Sequence, residues 1–329
     1  MLRIGLLGCG RIGQVHARSI FLSRQAKLVA VADAIQDSAT RLADEYEAEV
    51  RDANAICIAS DIDAILIGTP TDTHVDFILA AAQAGKATLC EKPFDLDTGR
   101  IKGCLQQLSP ETVLMFGFQR RFDPHFGALN VEIEKGSIGE VEMINLISRD
   151  PCPPPLSYIA RSGGIFADMM IHDFDMARFL LKEEPISVQA MGAALVDPAI
   201  GAAGDFDSAV VQLQTASGKI CQISCSRRAT YGYDQRVEVH GSQGALQAQN
   251  QHENAVKLTN AEGFHDAPLV NFFLERYLPA YRAELDHFIE AVSNGVTPSP
   301  SGYDALKAQM LAEAAMKSAK TGETIHIED

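Results

Sequence analysis

The segment with the most potential for chemistry carries two carboxylates and one imidazole at helical spacing. Asp168, His172 and Asp175 stand at positions i, i+4 and i+7 among Met, Ile and Phe residues. This spacing predicts one polar stripe along a helix, and such a stripe faces water or a site because buried unpaired charges are unfavourable. A carboxylate one turn from a histidine fixes the imidazole tautomer and favours proton uptake. We therefore predict that His172 is a general base and Asp168 its partner.

Two other interpretations of this segment remain open. A single histidine is more often a satisfied core or surface residue than a catalytic group. A metal site is the other alternative, but no second histidine stands at a recognised ligand spacing from His172. We predict no metal ion.

A lysine follows a predicted strand in the tripeptide Glu91-Lys92-Pro93. Residues 87–90 form that strand, so Lys92 lies at the carboxyl edge of a parallel sheet, where ligands bind. A fixed ammonium group there donates to a substrate hydroxyl and stabilises a developing alkoxide. The alternative is that Lys92 is an ordinary solvent-exposed lysine on a loop.

A glycine-rich turn predicts a dinucleotide site. Gly8, Gly10 and Gly13 form a G-x-G-x-x-G after the first predicted strand, and Asp33 ends the second strand, 20 residues beyond the last glycine. Glycines let the backbone approach a pyrophosphate, and an acidic residue at this distance accepts from the adenosine ribose and repels the 2′-phosphate of NADP. The expected cofactor is therefore NAD. The residues of this turn predicted to bind it include Arg11 and Ile12.

A second loop is predicted to reach the same cofactor. Thr69, Thr71 and His74 follow the predicted strand at 64–68, again at its carboxyl end. We expect this loop and Glu91 to contribute to NAD binding. A proline turn with a Thr or Asp helix cap explains the same loop equally well.

The scaffold for these residues reads as two domains. Short apolar runs at 3–7, 28–32, 64–68, 87–90 and 113–116 alternate with helical patterns at 11–22, 37–46, 73–84 and 98–108. Val-, Ile- and Leu-rich strands without alternation are typical of a parallel sheet covered on both faces. We predict an α/β fold whose N-terminal domain, residues 1–118, is a Rossmann doubly wound parallel sheet that binds NAD.

The pattern changes after Gly117. A helix at 124–135 and a strand at 141–147 precede a proline cluster at 151–155, which cannot form regular structure. A long helix at 164–181 is followed by alternating segments at 187–195, 208–213, 219–224 and 235–239, and by helices at 280–293 and 305–317. Residues 119–329 are thus predicted to form an α+β domain with an open, mostly antiparallel sheet for substrate binding and oligomerisation.

The amino-acid composition and net charge indicate which classes of binding partner to expect. The 329 residues are 47% hydrophobic and 22% charged, which is typical of globular chains, and the net charge of −15 disfavours nucleic acid and anionic membranes. No apolar run is long enough for a membrane span, and the first residues lack the features of a signal peptide. Seven cysteines without a C-x-x-C pair fit reduced thiols. We expect a cytoplasmic protein.

Taken together, three motifs resemble the family of glucose-fructose oxidoreductases and inositol dehydrogenases over essentially the whole chain. They are the glycine turn at 8–13, the E-K-P at 91–93 and the G-G-x-x-x-D-x-x-x-H-D at 163–173. Within this family, residues 148–151, the proline cluster, 162–166, 172–178 and 231–236 resemble the inositol 2-dehydrogenases. The resemblance implies that Lys92, Asp168 and His172 are the catalytic residues of an NAD-dependent oxidoreductase, which oxidises a secondary ring hydroxyl of inositol to the ketone in inositol catabolism.

The resemblance also implies substrate contacts and an assembly. Besides the three catalytic residues, Arg121, Asp150, Asp175 and Tyr233 match positions that contact the polyol, although Asp150 is a carboxylate where some inositol enzymes carry an amide. A homotetramer is expected. The alternatives are a dehydrogenase of another sugar or polyol, an oxidoreductase that retains its nicotinamide, and a non-catalytic NAD-sensing regulator.

Overall fold

The structure is a computed structural model that describes residues 1–328. The chain divides into two compact units: the first combines Met1–Phe122 with Leu278–Gln309, and the second combines Asp123–Tyr277 with the residues from Met310 onward. The sequence assigns all residues after 118 to one domain. The division observed differs because a C-terminal helix contributes Leu285, Phe288 and Ile289 to the core of the first unit.

The first unit contains a parallel sheet whose strands alternate with helices. Its strands are β1 (Leu2–Leu7), β2 (Ala26–Ala32), β3 (Glu49–Val50), β4 (Ala64–Ile67), β5 (Ala87–Glu91) and β6 (Leu114–Gly117). Its helices in this part of the chain are α1 (Arg11–Leu22), α2 (Gln36–Tyr46), α3 (Ala53–Ile58), α4 (His74–Gln83) and α5 (Thr98–Gln107). The strand order is β3-β2-β1-β4-β5-β6, with every pair parallel. The predicted doubly wound sheet is confirmed.

The burial of this sheet explains its sequence. All residues of β4 and β5 are buried, since helices cover both faces, and their apolar runs therefore show no alternation. The sequence prediction missed β3 and α3. Strand β3 has two exposed residues and no apolar run, and α3 is a six-residue helix whose N-cap, Asp52, accepts from two backbone amides.

The second unit is built around a mixed sheet. Its elements in chain order are α6 (Pro124–Glu134), β7 (Val141–Arg149), α7 (Leu156–Ser162), α8 (Ile171–Leu181), β8 (Pro185–Ala193), α9 (Pro198–Ala202), β9 (Ser208–Thr215), β10 (Ile220–Ser226), β11 (Asp234–Gly241), β12 (Gly244–Ala248), β13 (Lys257–Asn260), β14 (Gly263–Asp266) and α10 (Phe273–Arg276). The strand order is β12-β11-β7-β10-β9-β8, and among these pairs β7 and β10 are parallel while the others are antiparallel. This confirms the mostly antiparallel prediction.

The chain ends with α11 (Leu278–Asn294), α12 (Gly302–Thr321) and β15 (Ile325–His326). Helix α11 packs against α1 in the first unit, and β15 extends the mixed sheet by pairing with β8 in the second. Among residues 1–328, the structure contains no helix with the length and apolar character to cross a bilayer.

The long helix predicted at 164–181 is divided in two. Gly163 and Gly164 have φ values of 84° and 78°, which end α7 and start a new segment. Ile165–Met169 forms a π-helical turn, with the Met170 amide donating to the Ile165 carbonyl at 2.9 Å, and α8 follows from Ile171. The predicted polar stripe is therefore not carried by one continuous α-helix.

Candidate active site

The three glycines of the first turn meet different surroundings. Gly8 has a φ of 94°, and a Cβ added there would lie 2.4 Å from the Gly68 carbonyl oxygen. A Cβ on Gly13 would lie 2.0 Å from the Gly8 carbonyl oxygen, whereas a Cβ on Gly10 meets nothing within 4 Å. The fold itself therefore requires Gly8 and Gly13. The space over Gly10 is suited to a ligand that approaches the backbone closely.

Helix α1 begins at this turn with free capacity for an anion. Its N-cap is Gly10, which supplies no side-chain cap, and its first turn contains no acidic residue. Arg11 is exposed and Ile12 is half-buried against Gly68. Backbone amides and the positive end of the helix dipole therefore remain for a phosphate group, as in dinucleotide-binding folds.

Asp33 is fixed beside the glycine turn by two amides. Its Oδ2 accepts from the Cys9 amide at 2.6 Å, and its Oδ1 accepts from the Ile35 amide at 2.7 Å. Burial, followed by the charge of Asp33, raises the pKa of the Cys9 thiol to about 12, so this thiol adds no negative charge. The carboxylate is held in one place at the end of β2, where a ribose would be bound.

The loop after β4 is joined to the segment after β5 by His74. The buried imidazole has Nε2 at 2.9 Å from the Thr69 carbonyl oxygen and Nδ1 at 2.8 Å from the Pro93 carbonyl oxygen. Burial lowers the pKa of His74. The hydroxyls of Thr69 and Thr73 lie 2.7 Å apart, and Thr71 is half-buried in the short helix that follows Pro70. The neutral imidazole donates to one of these two carbonyls and packs against the other, so His74 lies between the two loops at the carboxyl edge of the sheet.

Lys92 directly follows the last residue of β5 and lies at the same edge. It is half-buried, and the Lys92–Pro93 peptide bond is cis. The preceding Glu91 is buried, with its Oε1 at 2.6 Å from Nε2 of His16 in α1. The Glu91 carboxylate therefore contacts the core of the first unit, and its role in cofactor binding stays a prediction.

Arg121 also belongs to the first unit. Its Nη2 donates to Oδ1 of Asp304 at 2.9 Å and its Nη1 donates to Ser299 at 3.2 Å, and 8% of its side chain is exposed. This ion pair fixes the guanidinium. The contact of Arg121 with a polyol stays a prediction.

In the second unit, Asp168 is held by two neighbours that the sequence analysis did not identify. The Tyr158 hydroxyl donates to its Oδ1 at 2.9 Å, and both terminal nitrogens of Arg227 lie 3.4 Å from its Oδ2. Arg227 is almost fully buried, so Asp168 is its partner inside the unit. The sequence does hold one indication of Arg227: it directly follows the alternating strand β10, at the strand end beside Asp150.

His172 lies in the first turn of α8 and is half-buried, one turn after Asp168. Asp175, three residues later, is fully buried, and its Oδ1 is 3.8 Å from Nη1 of Arg178. Arg178 in turn forms two hydrogen bonds with Glu184, at 2.7 and 2.6 Å. Asp168 and His172 thus stand one turn apart in the chain, while the buried Asp175 lies beside Arg178, whose guanidinium pairs with the partly exposed Glu184.

Asp150 lies at the same edge of the mixed sheet as Arg227. Strands β7 and β10 run parallel, so their carboxyl ends coincide, and the Asp150 amide donates to the Ser226 carbonyl at 3.0 Å. Tyr233, just before β11, is buried with its ring edge-on to Phe272 and Tyr277 at centroid distances of 5.9 and 6.0 Å. Within the second unit, this edge carries Asp150 and the Arg227–Asp168 pair.

Comparison with known proteins identifies both halves of the chain. Residues 2–115 match the family model of the oxidoreductase family NAD-binding Rossmann fold, and residues 131–327 match that of the oxidoreductase family C-terminal alpha/beta domain. The two models describe the N- and C-terminal parts of the Gfo/Idh/MocA family.

Individual relatives agree with this result. An inositol 2-dehydrogenase of Rhizobium meliloti (strain 1021) is 56% identical over 318 residues, covering 96% of each chain. A myo-inositol 2-dehydrogenase of Thermotoga maritima is 42% identical, covering 100% of this chain and 99% of its own. The crystal structure of myo-inositol dehydrogenase from Lactobacillus casei in complex with NAD(H) and myo-inositol matches with a TM-score of 0.89 at 26% identity, covering 100% and 97% of the chains. This chain belongs to the Gfo/Idh/MocA oxidoreductase family.

Proposed function

We propose that this protein is an NAD-dependent inositol 2-dehydrogenase, which oxidises a secondary ring hydroxyl of inositol to the ketone. The observation that carries the proposal is the full-length similarity to inositol 2-dehydrogenases, at 56% identity to one of them. The catalytic motif residues Lys92, Asp168 and His172 are all present. An oxidoreductase acting on CH–OH groups follows from the same similarity.

The cofactor role belongs to the first unit. The open space over Gly10, the uncapped start of α1 and the fixed Asp33 carboxylate suit the pyrophosphate and adenosine ribose of NAD. We assign Arg11, Ile12, Thr69, Thr71, His74 and Glu91 supporting roles. His74 acts by holding the two loops that carry Thr69 and Lys92.

The chemical roles are divided among three residues. His172 takes the proton of the reacting hydroxyl as a general base, Asp168 orients and polarises this group, and Lys92 donates a hydrogen bond to the reacting oxygen. When bound, NAD supplies the acceptor for the hydride that leaves the carbon. One proton and one hydride thus leave the alcohol, and a carbonyl group remains.

Substrate recognition is assigned to Arg121, Asp150, Asp175 and Tyr233 together with the three catalytic residues. A polyol offers many hydroxyls, which need charged and polar partners. The half-buried Asp150 lies beside the strand end that leads to Arg227, which supports a role for it in this set.

The experiment is a test of NAD reduction with a panel of inositol isomers and aldoses, monitored at the absorbance of reduced nicotinamide. We expect steady turnover with an inositol at the highest kcat/KM. Steady turnover with an aldose instead would favour a sugar dehydrogenase. Binding of NAD without turnover would favour a sensor, and a bound nicotinamide that cycles without release would favour an oxidoreductase that retains it.

We propose that the protein is a homotetramer that uses the exposed face of the mixed sheet. Strands β9 and β10 alternate between buried and exposed positions, and Met143, Val210 and Ile220 are exposed large apolar residues of this sheet. The same face exposes Gln212, Gln214 and Gln222, and protein interfaces combine apolar and polar side chains in this way. Light scattering that returned the mass of a single chain at micromolar concentration would refute the assembly.

The roles of the two domains are a further proposal. We assign NAD binding to residues 1–118 and substrate binding with oligomerisation to 119–329, with the addition that Leu278–Gln309 belongs structurally to the first unit.

We place the protein in the cytoplasm. Within residues 1–328 all seven cysteines are free, which suits a reducing compartment. Labelling of the exposed Cys152 in intact cells tests this location.

A further inference from the structure

A cluster of three titratable side chains lies in the core of the first unit, and two of them, His16 and Glu284, have no part in the proposed reaction. His16 belongs to α1, Glu91 ends β5 and Glu284 lies in the middle of α11. All three are buried, and one ligand atom of each lies within 4.8 Å of those of the other two. Two carboxyl groups and one imidazole therefore share a small buried volume.

Glu284 is the unusual member of this cluster. Its exposed fraction is 0%, and neither of its carboxyl oxygens has a hydrogen-bond partner among residues 1–328. A buried, unpaired carboxylate is strongly unfavourable, and the neighbouring Glu91 would add the repulsion of a like charge. Burial first, and then the charge of Glu91, raise the pKa of Glu284 well above its ordinary value.

The other groups around the cluster do not change this balance. The Tyr281 ring packs edge-on to His16 at 5.6 Å, and His74 lies within the electrostatic reach of Glu91. The short helix Gln119–Phe122, which packs on α11, carries Arg120 and Arg121, and Arg121 is engaged by Asp304. Among residues 1–328, burial and Glu91 are the two influences on the Glu284 pKa.

The distances in the cluster favour a proton over a metal ion. Nε2 of His16 lies 2.6 Å from Oε1 of Glu91. Two ligands of one tetrahedral zinc ion lie about 3.3 Å apart, given metal–ligand bonds of about 2.0 Å. The observed separation is that of a hydrogen bond.

Glu91 connects the cluster to Lys92. A Cβ on Gly117 of β6 would lie 3.0 Å from the Glu91 carboxylate, so this carboxylate packs directly on the bare Cα of Gly117. Successive residues of a strand point to opposite sides. The Glu91 carboxylate is anchored on the face covered by α1 and α11, so the next residue, Lys92, leaves the strand toward the opposite face.

We propose that Glu284 is held as a neutral carboxylic acid packed beside the Glu91 carboxylate. The hydrogen bond from His16 and the packing of the neutral Glu284 side chain together position Glu91 and thereby direct Lys92, so His16 and Glu284 are positioning residues. The positioning role rests on the proposed function, because it requires Lys92 to contact the reacting oxygen. The protonation of Glu284 does not depend on it.

Infrared difference spectroscopy tests the protonation at pH 8, where exposed carboxyl groups are ionised. The wild-type protein should show a neutral carboxylic acid C=O band that shifts in D₂O. The band should be absent from Glu284→Gln and retained in Glu290→Gln, which removes an exposed carboxylate from the same helix. Absence of the band from the wild-type protein would overturn the proposal. So would a stoichiometric divalent metal ion present in the wild-type protein and missing from Glu284→Gln.

Steady-state kinetics tests the positioning role. Glu284→Leu should lower kcat about tenfold while the NAD dissociation constant stays the same, and Glu284→Gln should restore most of the loss. In the wild-type protein kcat should fall at alkaline pH as Glu284 ionises, and Glu284→Gln should remove this fall. Equal kcat and pH profiles in all three proteins would overturn the positioning role. If no polyol is turned over, the proposed function fails, and the infrared result still decides the protonation.

Discussion

Replacing Gly10 with alanine should weaken NAD binding while it leaves the free energy of unfolding nearly unchanged. Gly10 has φ −70° and ψ −163°, which alanine adopts readily, and its added Cβ meets nothing within 4 Å. Alanine reduces the entropy of the unfolded chain and stabilises by about 0.4 to 1 kcal/mol. As a helix N-cap, alanine is less favourable than glycine by about 0.5 kcal/mol. The free energy of unfolding should therefore change by less than about 0.5 kcal/mol.

Gly13→Ala is the matched control in the same turn. Its Cβ would lie 2.0 Å from the Gly8 carbonyl oxygen, which is backbone and has no flexible end to move away. The start of α1 has to shift, with a loss of about 3 kcal/mol of stability, as for an overpacked core. Two substitutions that each add one methyl group thus have very different effects on the fold.

The effect on NAD should be the reverse for Gly10→Ala. Its methyl group occupies the space proposed for the pyrophosphate beside the amides, and each hydrogen bond to a charged group contributes about 1.5 to 3 kcal/mol. Loss of one or two such bonds gives about 3 kcal/mol, or about 150-fold weaker binding. Urea unfolding without NAD and calorimetric titration with NAD measure the two quantities. Wild-type NAD affinity in Gly10→Ala, or a stability loss equal to that of Gly13→Ala, would refute the reasoning.

Four further outcomes are expected. Asp33→Ser should reduce an NAD preference of about 150-fold. A unit charge at about 5 Å and a dielectric constant of about 40 repels another by about 1.7 kcal/mol, and the 2′-phosphate carries nearly two charges, which gives about 3 kcal/mol. The ratio of kcat/KM for the two cofactors measures the preference, with the exposed Asp44→Asn as control. His172→Ala should lower kcat by about 10² to 10⁴ and flatten the rise of kcat/KM with pH, at unchanged NAD affinity. Arg227→Met should lower the free energy of unfolding by about 2 to 3 kcal/mol, because Asp168 loses its buried partner. The double variant Arg227→Met/Asp168→Asn should recover this stability but not the activity. Burial raises the folded-state pKa of Glu284, so its stabilising contribution is present below about pH 4.5 and is lost as pH rises through that pKa. The stability advantage of Glu284→Gln over the wild type should therefore increase from pH 5 to 9. Chemical unfolding of both proteins at each pH measures this difference.

The parts of the fold that the sequence predicts are those encoded locally. Helix α1 has the bounds predicted from the glycine turn and the apolar pattern that follows, because its start and its buried face are determined by neighbouring residues. The buried strands β4 and β5 were predicted for the same reason. The glycine turn and Asp33 are also local signals, since one short segment and one fixed spacing define them.

The contacts that the sequence did not predict join distant positions. His16 and Glu91 are 75 residues apart, and Asp168 and Arg227 are 59 residues apart. No periodicity links such pairs, because their contact depends on how strands and helices are ordered in space. The π-helical turn before α8 was missed for another reason: its residues fit a regular helix equally well, and the two glycines ahead of it set its geometry.

Three carboxyl groups of this chain illustrate why residue type alone does not determine a role. Asp33 accepts from two backbone amides, which hold a negative charge next to the dinucleotide turn. Asp168 faces the buried cation of Arg227 and the hydroxyl of Tyr158. Glu284 receives no donor from residues 1–328 and lies beside Glu91, so it keeps its proton. The donors that surround each group come from different elements, and they decide whether the carboxyl group is held as a charge, as for Asp33 and Asp168, or as a neutral acid, as proposed for Glu284.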